Sequence, residues 1–195
     1  MRLSRLCASL AVLALSVPQA NAHDSRHQLA DTAVLPQERL TVSNIPVTDT
    51  SDRTLGFVER FGSAGTLILS FTYTGCETLC PVTNAILGEV DRQMADSAPL
   101  TIVSVSIDPV HDTPEALRRM SADLGASANW VWLTAAPREN RMLLGELGVD
   151  VAALEAHDPV FLVGDLCSGR FTRVIGVPDP AALIDIARHH PKCDD

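Results

Sequence analysis

Residues 66–107, TLILSFTYTGCETLCPVTNAILGEVDRQMADSAPLTIVSVSI, decide the fold. Thr66 to Tyr73 is a run of apolar and β-forming residues and predicts a buried strand. Val82 to Met94 places its apolar residues at helical spacing, and Leu100 to Ile107 predicts a second strand. A strand, a helix and a strand in that order imply a parallel pair joined by a crossover. The pattern continues downstream. Thr113-Pro114-Glu115 opens a second helix, with Thr113 as cap and Pro114 at the first helical position. Trp130 to Leu133 predicts a third strand, in which the two tryptophans read as packing, and Arg138 to Leu147 a third helix. Val160 to Val163 and Phe171 to Ile175 form a closing hairpin around Ser168-Gly169, and Ala181 to His189 is the last helix. Upstream, short β-type pieces from Val42 to Phe57 flank the turn signal Thr50-Ser51-Asp52, which predicts an N-terminal β-hairpin. The expected fold class is α/β: a thioredoxin-like plan, with a mixed sheet flanked by helices. No glycine-rich phosphate loop follows any of the strands, which argues against a dinucleotide-binding fold.

The start of the chain reads as an export signal. Arg2 and Arg5 precede the apolar run Leu6 to Val17, Pro18 breaks it, and Ala20-Asn21-Ala22 offers a small-x-small cleavage site. The run is shorter than the ~20 residues a membrane span requires. The expected organisation is therefore a signal peptide over 1–22, a polar, unpatterned and mobile segment over 23–39, and one domain over 40–195. Cleavage after Ala22 implies a periplasmic protein with no membrane span, and Cys7 leaves with the peptide. With 24 acidic against 15 basic residues and a formal charge of −9, the surface suits neither nucleic acid nor anionic lipid.

Four cysteines remain after residue 22: Cys76, Cys80, Cys167 and Cys193. Cys76 and Cys80 lie where the strand turns into the helix. Their i, i+4 spacing puts both thiols on one face of a helical turn, where backbone N–H groups favour thiolates. Such a pair can close a disulfide or hold a soft metal such as Cu(I).

The motif FTYTGCETLCP (71–81), followed by SVSIDPVHDTPEAL (104–117) and a histidine just ahead of a late strand, resembles the Sco/SenC family. The resemblance covers roughly Leu40 to His190. It implies a thioredoxin-fold copper protein that helps assemble the dinuclear copper site of cytochrome c oxidase, with copper held by Cys76, Cys80 and a distal histidine, His157 by position. Physical reasoning points the same way, because function in an open α/β sheet collects at the carboxyl ends of the parallel strands. Cys76 follows one such strand and Asp108 the next. His157 precedes an antiparallel strand and so enters from that edge. An imidazole beside two thiolates lets a site hold Cu(II) as well as Cu(I). Asp108 either caps the turn before Pro109 or orients the copper ligands. Asp112 reads as a turn residue leading into the helix, and His111 as a loop residue at the same edge.

The chain departs from the family pattern in a short stretch, GVDVAALEA (148–156), before His157, and in Asp158-Pro159 directly after it. Because thioredoxins carry a cis-proline at the matching place, a cis Asp158–Pro159 bond is expected. The second cysteine pair has a topological reading. The strand from Val160 leaves the active edge, the next returns, and the last helix runs back. Cys167 and Cys193 then meet at the far end, ~17 Å away over about five residues of strand, as a structural disulfide. His189 and His190 suit the helix dipole, and His23 and His27 belong to a solvated tail.

Two functions compete. One is a metallochaperone that carries copper to the copper-bearing subunit of the oxidase or to another copper protein. The other is a thiol–disulfide oxidoreductase that reduces cysteines on such a client. A peroxidase is a weaker third reading, since only the dithiol points to it.

Overall fold

The computed structural model describes residues 32–94, 100–149, 158–191 and 193. Among these residues nine strands form one mixed sheet: β1 (Ala33–Val34), β2 (Glu38–Arg39), β3 (Pro46–Asp49), β4 (Thr54–Gly56), β5 (Thr66–Thr72), β6 (Leu100–Ser106), β7 (Trp130–Thr134), β8 (Val160–Gly164) and β9 (Arg170–Ile175). Five helices accompany them: α1 (Phe57–Phe61), α2 (Cys80–Met94), α3 (Pro114–Asp123), α4 (Pro137–Glu146) and α5 (Pro180–His189). The strand order is β1-β9-β8-β5-β6-β7-β3-β4, with β2 also paired to β9. The β5, β6 and β7 strands are parallel, while β8, β9 and the β3–β4 hairpin run antiparallel to their neighbours. This is the expected thioredoxin-like arrangement, hairpin included.

Alternation along the strands divides the core into two layers. Leu67, Leu69 and Phe71 of β5 join Val103, Val105 and Leu133 on one face, under Phe57 and Phe61 of α1 and Leu143, Leu144 and Leu147. Ile68, Ile102, Trp130, Trp132, Phe161 and Val163 line the other face, under α2, α3 and α5. Each fully buried large apolar side chain contributes about 1.5–3 kcal/mol. Two serines interrupt the second layer and satisfy one another. Ser70 and Ser104 are 3.0 Å apart through their hydroxyls, and the Trp130 indole N–H donates to Ser104 Oγ at 2.9 Å. The two tryptophans stack with ring centroids 5.2 Å apart, so they are packing elements, as read from the sequence.

Two features escaped the pattern. The segment over 23–39, expected to be mobile, carries β1 and β2 on the edge of β9 within its described part. Arg173 fastens that edge by donating from Nε to Glu38 at 2.8 Å and from a guanidinium nitrogen to Leu147 O at 2.9 Å. The five-residue α1 starts at Phe57, where the expected hairpin ends, in a stretch to which the sequence reading assigns no element. Among the described residues no helix is long and apolar enough to cross a membrane.

The hairpin turn is built on one carboxylate. Buried Asp49 accepts from the Ser51 and Arg53 backbone, from the Arg53 guanidinium and, at 2.7 Å, from Arg60 of α1. Burial alone would raise its pKa, but hydrogen bonds from Arg60, Ser51 and Arg53 outweigh that and hold it at about 2. The folded pKa lies below the unfolded one, so this stabilisation is complete above about pH 4. It is lost as pH falls toward 2, and amounts to about 2 kcal/mol. Urea midpoints of wild type should therefore drop more steeply between pH 5 and 2 than those of Asp49→Asn. Parallel slopes would refute this.

Candidate metal and thiol site

The β5 strand ends at Thr72, and its pairing with β6 extends one step further, the Ile107 N–H donating to Thr72 O at 2.8 Å. The chain then turns through Thr74-Gly75, and the Cys76 N–H donates to Tyr73 O at 3.3 Å. Cys80 is the first residue of α2, and Pro81 follows in the first turn, where the missing N–H has no helical partner to lose. Cys76 and Cys80 are joined in a disulfide with Cα atoms 5.7 Å apart. Both are buried, packed with Phe71, Tyr73, Val105 and Ile107. The Cys80 N–H points at Cys76 Sγ from 3.2 Å. In the reduced pair the same N–H, at the positive end of α2, favours a thiolate on Cys76. A groove between α2 and α3, lined by Cys76, Pro81, Ala116, Met120 and Leu124, opens beside the pair.

The loop after β6 is locked to this turn by Asp112, a residue the sequence presented as a turn element. Its side chain is among the most buried polar groups, at 2 % exposure. Oδ1 accepts from the Thr74 backbone at 3.0 Å and from the Thr74 hydroxyl at 2.6 Å, while Oδ2 accepts from Ser106 Oγ at 2.6 Å. The Asp112 N–H returns to Asp108 O at 2.9 Å. One carboxylate thus ties the turn that presents Cys76 to the end of the neighbouring strand. The only hint in the sequence was its place within a dense polar motif.

Asp108 lies in the same loop, with its N–H donating to Ser106 Oγ at 3.1 Å. Its carboxylate contacts Nδ1 of the exposed His111 at 2.8 Å. His157 falls outside the described residues. The strand after it is informative nonetheless: Phe161 of β8 pairs with Ser70, so β8 begins level with the carboxyl end of β5, beside the turn that presents Cys76. The Asp158–Pro159 bond is trans, which corrects the expected cis bond. Pro159 O accepts from the Gly176 N–H at 2.8 Å, so the residue enters the sheet as a plain extension of β8, and no tight turn there calls for a cis bond.

At the opposite end of the sheet Cys167, in the β8–β9 turn, forms a disulfide with Cys193 beyond α5, Cα atoms 6.0 Å apart. Under it, His190 Nε2 lies 2.5 Å from Asp165 Oδ2, and the His190 side chain is only 1 % exposed. His190 is therefore a core residue paired to a carboxylate rather than a group at a helix dipole. Burial raises the Asp165 pKa, but hydrogen bonds from the Ser168 backbone and hydroxyl, together with His190, outweigh it and hold the carboxyl below its usual range.

The SCO1/SenC family model matches residues 40–150. A SCO1 protein homolog of Bacillus subtilis (strain 168) is 33 % identical over 69 residues, 34 % of this chain and 36 % of that protein, so the match spans about a third of the curated relative. Among solved structures, BsSco, a member of the Sco family of cytochrome c oxidase assembly proteins in which a disulfide switch was identified, superposes with a TM-score of 0.62 at 19 % identity, over 79 % of this chain and 97 % of that one. Copper-bound ScoI of Bradyrhizobium japonicum does so with a TM-score of 0.62 at 19 % identity, over 77 % of this chain and 99 % of that one. The low identities make these two likenesses of fold, while the family model covers more than half of the sequence, cysteine turn and Asp112 motif included: the chain belongs to the SCO1/SenC family.

Proposed function

We propose that this protein is an exported, periplasmic copper metallochaperone that takes one copper ion as cargo on Cys76, Cys80 and His157. It delivers that ion to the dinuclear copper site of cytochrome c oxidase or to another copper protein. The observation that carries this reading is the cysteine pair at the start of α2, on a turn that Asp112 holds rigid. Thiols i, i+4 apart at a helix start, with an N–H already aimed at one sulfur, suit the soft donor set Cu(I) prefers. The copper-bound ScoI of similar fold supports the cargo, and BsSco supports the client class. Loading needs the dithiol, so an external thiol reductant must first open the Cys76–Cys80 bond. That disulfide itself favours the second reading, a thiol–disulfide oxidoreductase acting on the cysteines of a copper protein.

Competition for Cu(I) against a chelator of known affinity separates the two. The reduced protein should take up one copper per chain. Cys76→Ser should abolish competition, and His157→Ala should weaken it by at least about tenfold while leaving dithiol exchange intact. No competition by the wild type would reject the chaperone and leave the oxidoreductase. Equal loss of copper binding and dithiol exchange in His157→Ala would remove His157 from the ligand set.

A further inference from the structure

The far end of the sheet holds a second set of soft and borderline donors. One carboxylate oxygen of Asp165 and the sulfurs of Cys167 and Cys193 lie within 4.8 Å of one another. His190 Nε2 stands 2.5 Å from the same carboxylate. We propose that Cys167, Cys193 and Asp165 form a second metal site when the outer disulfide is reduced, with two thiolates and a carboxylate suited to a zinc-class divalent ion and His190 orienting the carboxylate.

The geometry is close to what such an ion needs. Tetrahedral zinc, with metal–sulfur bonds of about 2.3 Å and metal–nitrogen or metal–oxygen bonds of about 2.0 Å, spaces its donors about 3.3–3.8 Å apart. The carboxylate therefore closes on the sulfurs by at most about an ångström, while the two sulfurs, bonded in the disulfide, part to about 3.8 Å once it is reduced. His190 Nε2 holds the Asp165 carboxylate from the buried side. Asp165 is held from the other side by Ser168, whose N–H and hydroxyl donate at 2.6 and 2.7 Å, which fixes and orients the carboxylate as a ligand needs. Access differs from that of the inner pair. Cys167 is exposed and Cys193 half-buried, whereas Cys76 and Cys80 are buried.

The chemistry balances with one reductant. A dithiol attacks the Cys167–Cys193 bond, passes two electrons and two protons to it, and leaves as its own disulfide. The divalent ion then displaces the two thiol protons to solvent.

Cobalt(II) is the probe, used on the Cys76→Ser/Cys80→Ser protein so that the inner pair contributes nothing. The reduced protein should bind one Co(II) with the intense visible bands of a tetrahedral thiolate complex, displaced by Zn(II). The oxidised protein should show none. His190→Ala should lower the affinity at least about tenfold, and Cys167→Ser should abolish the bands. Near-UV circular dichroism of the reduced, metal-loaded protein should stay native. The proposal is overturned by absence of the bands, by equal binding to oxidised protein, by an unchanged affinity in His190→Ala, or by loss of the native near-UV signal. None of these outcomes bears on copper binding by the inner pair, which the variant lacks.

Discussion

Asp112→Ala lowers the stability of the protein by about 3–5 kcal/mol, more than any other single change at the site. The carboxylate is buried and accepts three hydrogen bonds, from Thr74 N, Thr74 Oγ1 and Ser106 Oγ. A bond to a charged acceptor contributes about 1.5–3 kcal/mol, and a buried donor left without an acceptor costs about 1–3 kcal/mol. The two hydroxyls can turn to other partners after truncation, but the Thr74 N–H cannot, so the total falls below the simple sum. Asp112→Asn keeps one carbonyl for Thr74 and should recover about half the loss. Urea unfolding at neutral pH measures both variants. A loss under about 1 kcal/mol for the alanine variant would show that the turn is held by its own backbone. The same loosening should reach the thiols. With the Cys76 turn released from β6, the Cu(I) affinity of the reduced Asp112→Ala protein should fall about tenfold, in the range seen when groups that orient metal ligands are removed.

The second large effect lies at the other end of the molecule. Cys167→Ser/Cys193→Ser should lose about 3 kcal/mol, because the bond closes a loop of 26 residues and a constraint of that length removes a comparable amount of freedom from the unfolded chain. The midpoint of urea unfolding should drop, and the protein should remain folded, since Leu183 and Ile184 anchor α5 in the core with side chains remote from the bond's own atoms. An unchanged midpoint would mean that the bond only decorates a well-docked helix. In the wild type without reductant, neither Cys167 nor Cys193 should take up an alkylating agent.

Much of this architecture was legible because long elements advertise their period. The alternation in β5 and β6, the Thr113-Pro114 start of α3 and the apolar spacing of α2 each translate directly into one element. What was not legible was short or tertiary. Strands of two residues, such as β1 and β2, exist only because β9 offers an edge, and α1 is too short to be stable apart from Phe57 and Phe61. Asp112 looked like any acidic residue before a helix cap, since burial depends on a partner loop 38 residues away. His190 misled for the same reason: the groups around it come from the β8–β9 turn. The cysteine turn itself was plain, as was the far disulfide, because strand direction alone brings residues 167 and 193 to one end. Where His157 sits relative to the thiols falls outside the described residues.

The two disulfides also have an order in time. Each joins a cysteine to the next one along the chain, across separations of 4 and 26 residues, with a far longer stretch between the pairs. Four cysteines allow three pairings, and closing a loop becomes less probable as it lengthens. On the proposed export route, where Cys7 leaves with the signal peptide, Cys76 meets Cys80 before Cys167 appears, and Cys193 then finds Cys167. The native connectivity is thus the one that oxidation during emergence reaches first, without a disulfide isomerase to correct it.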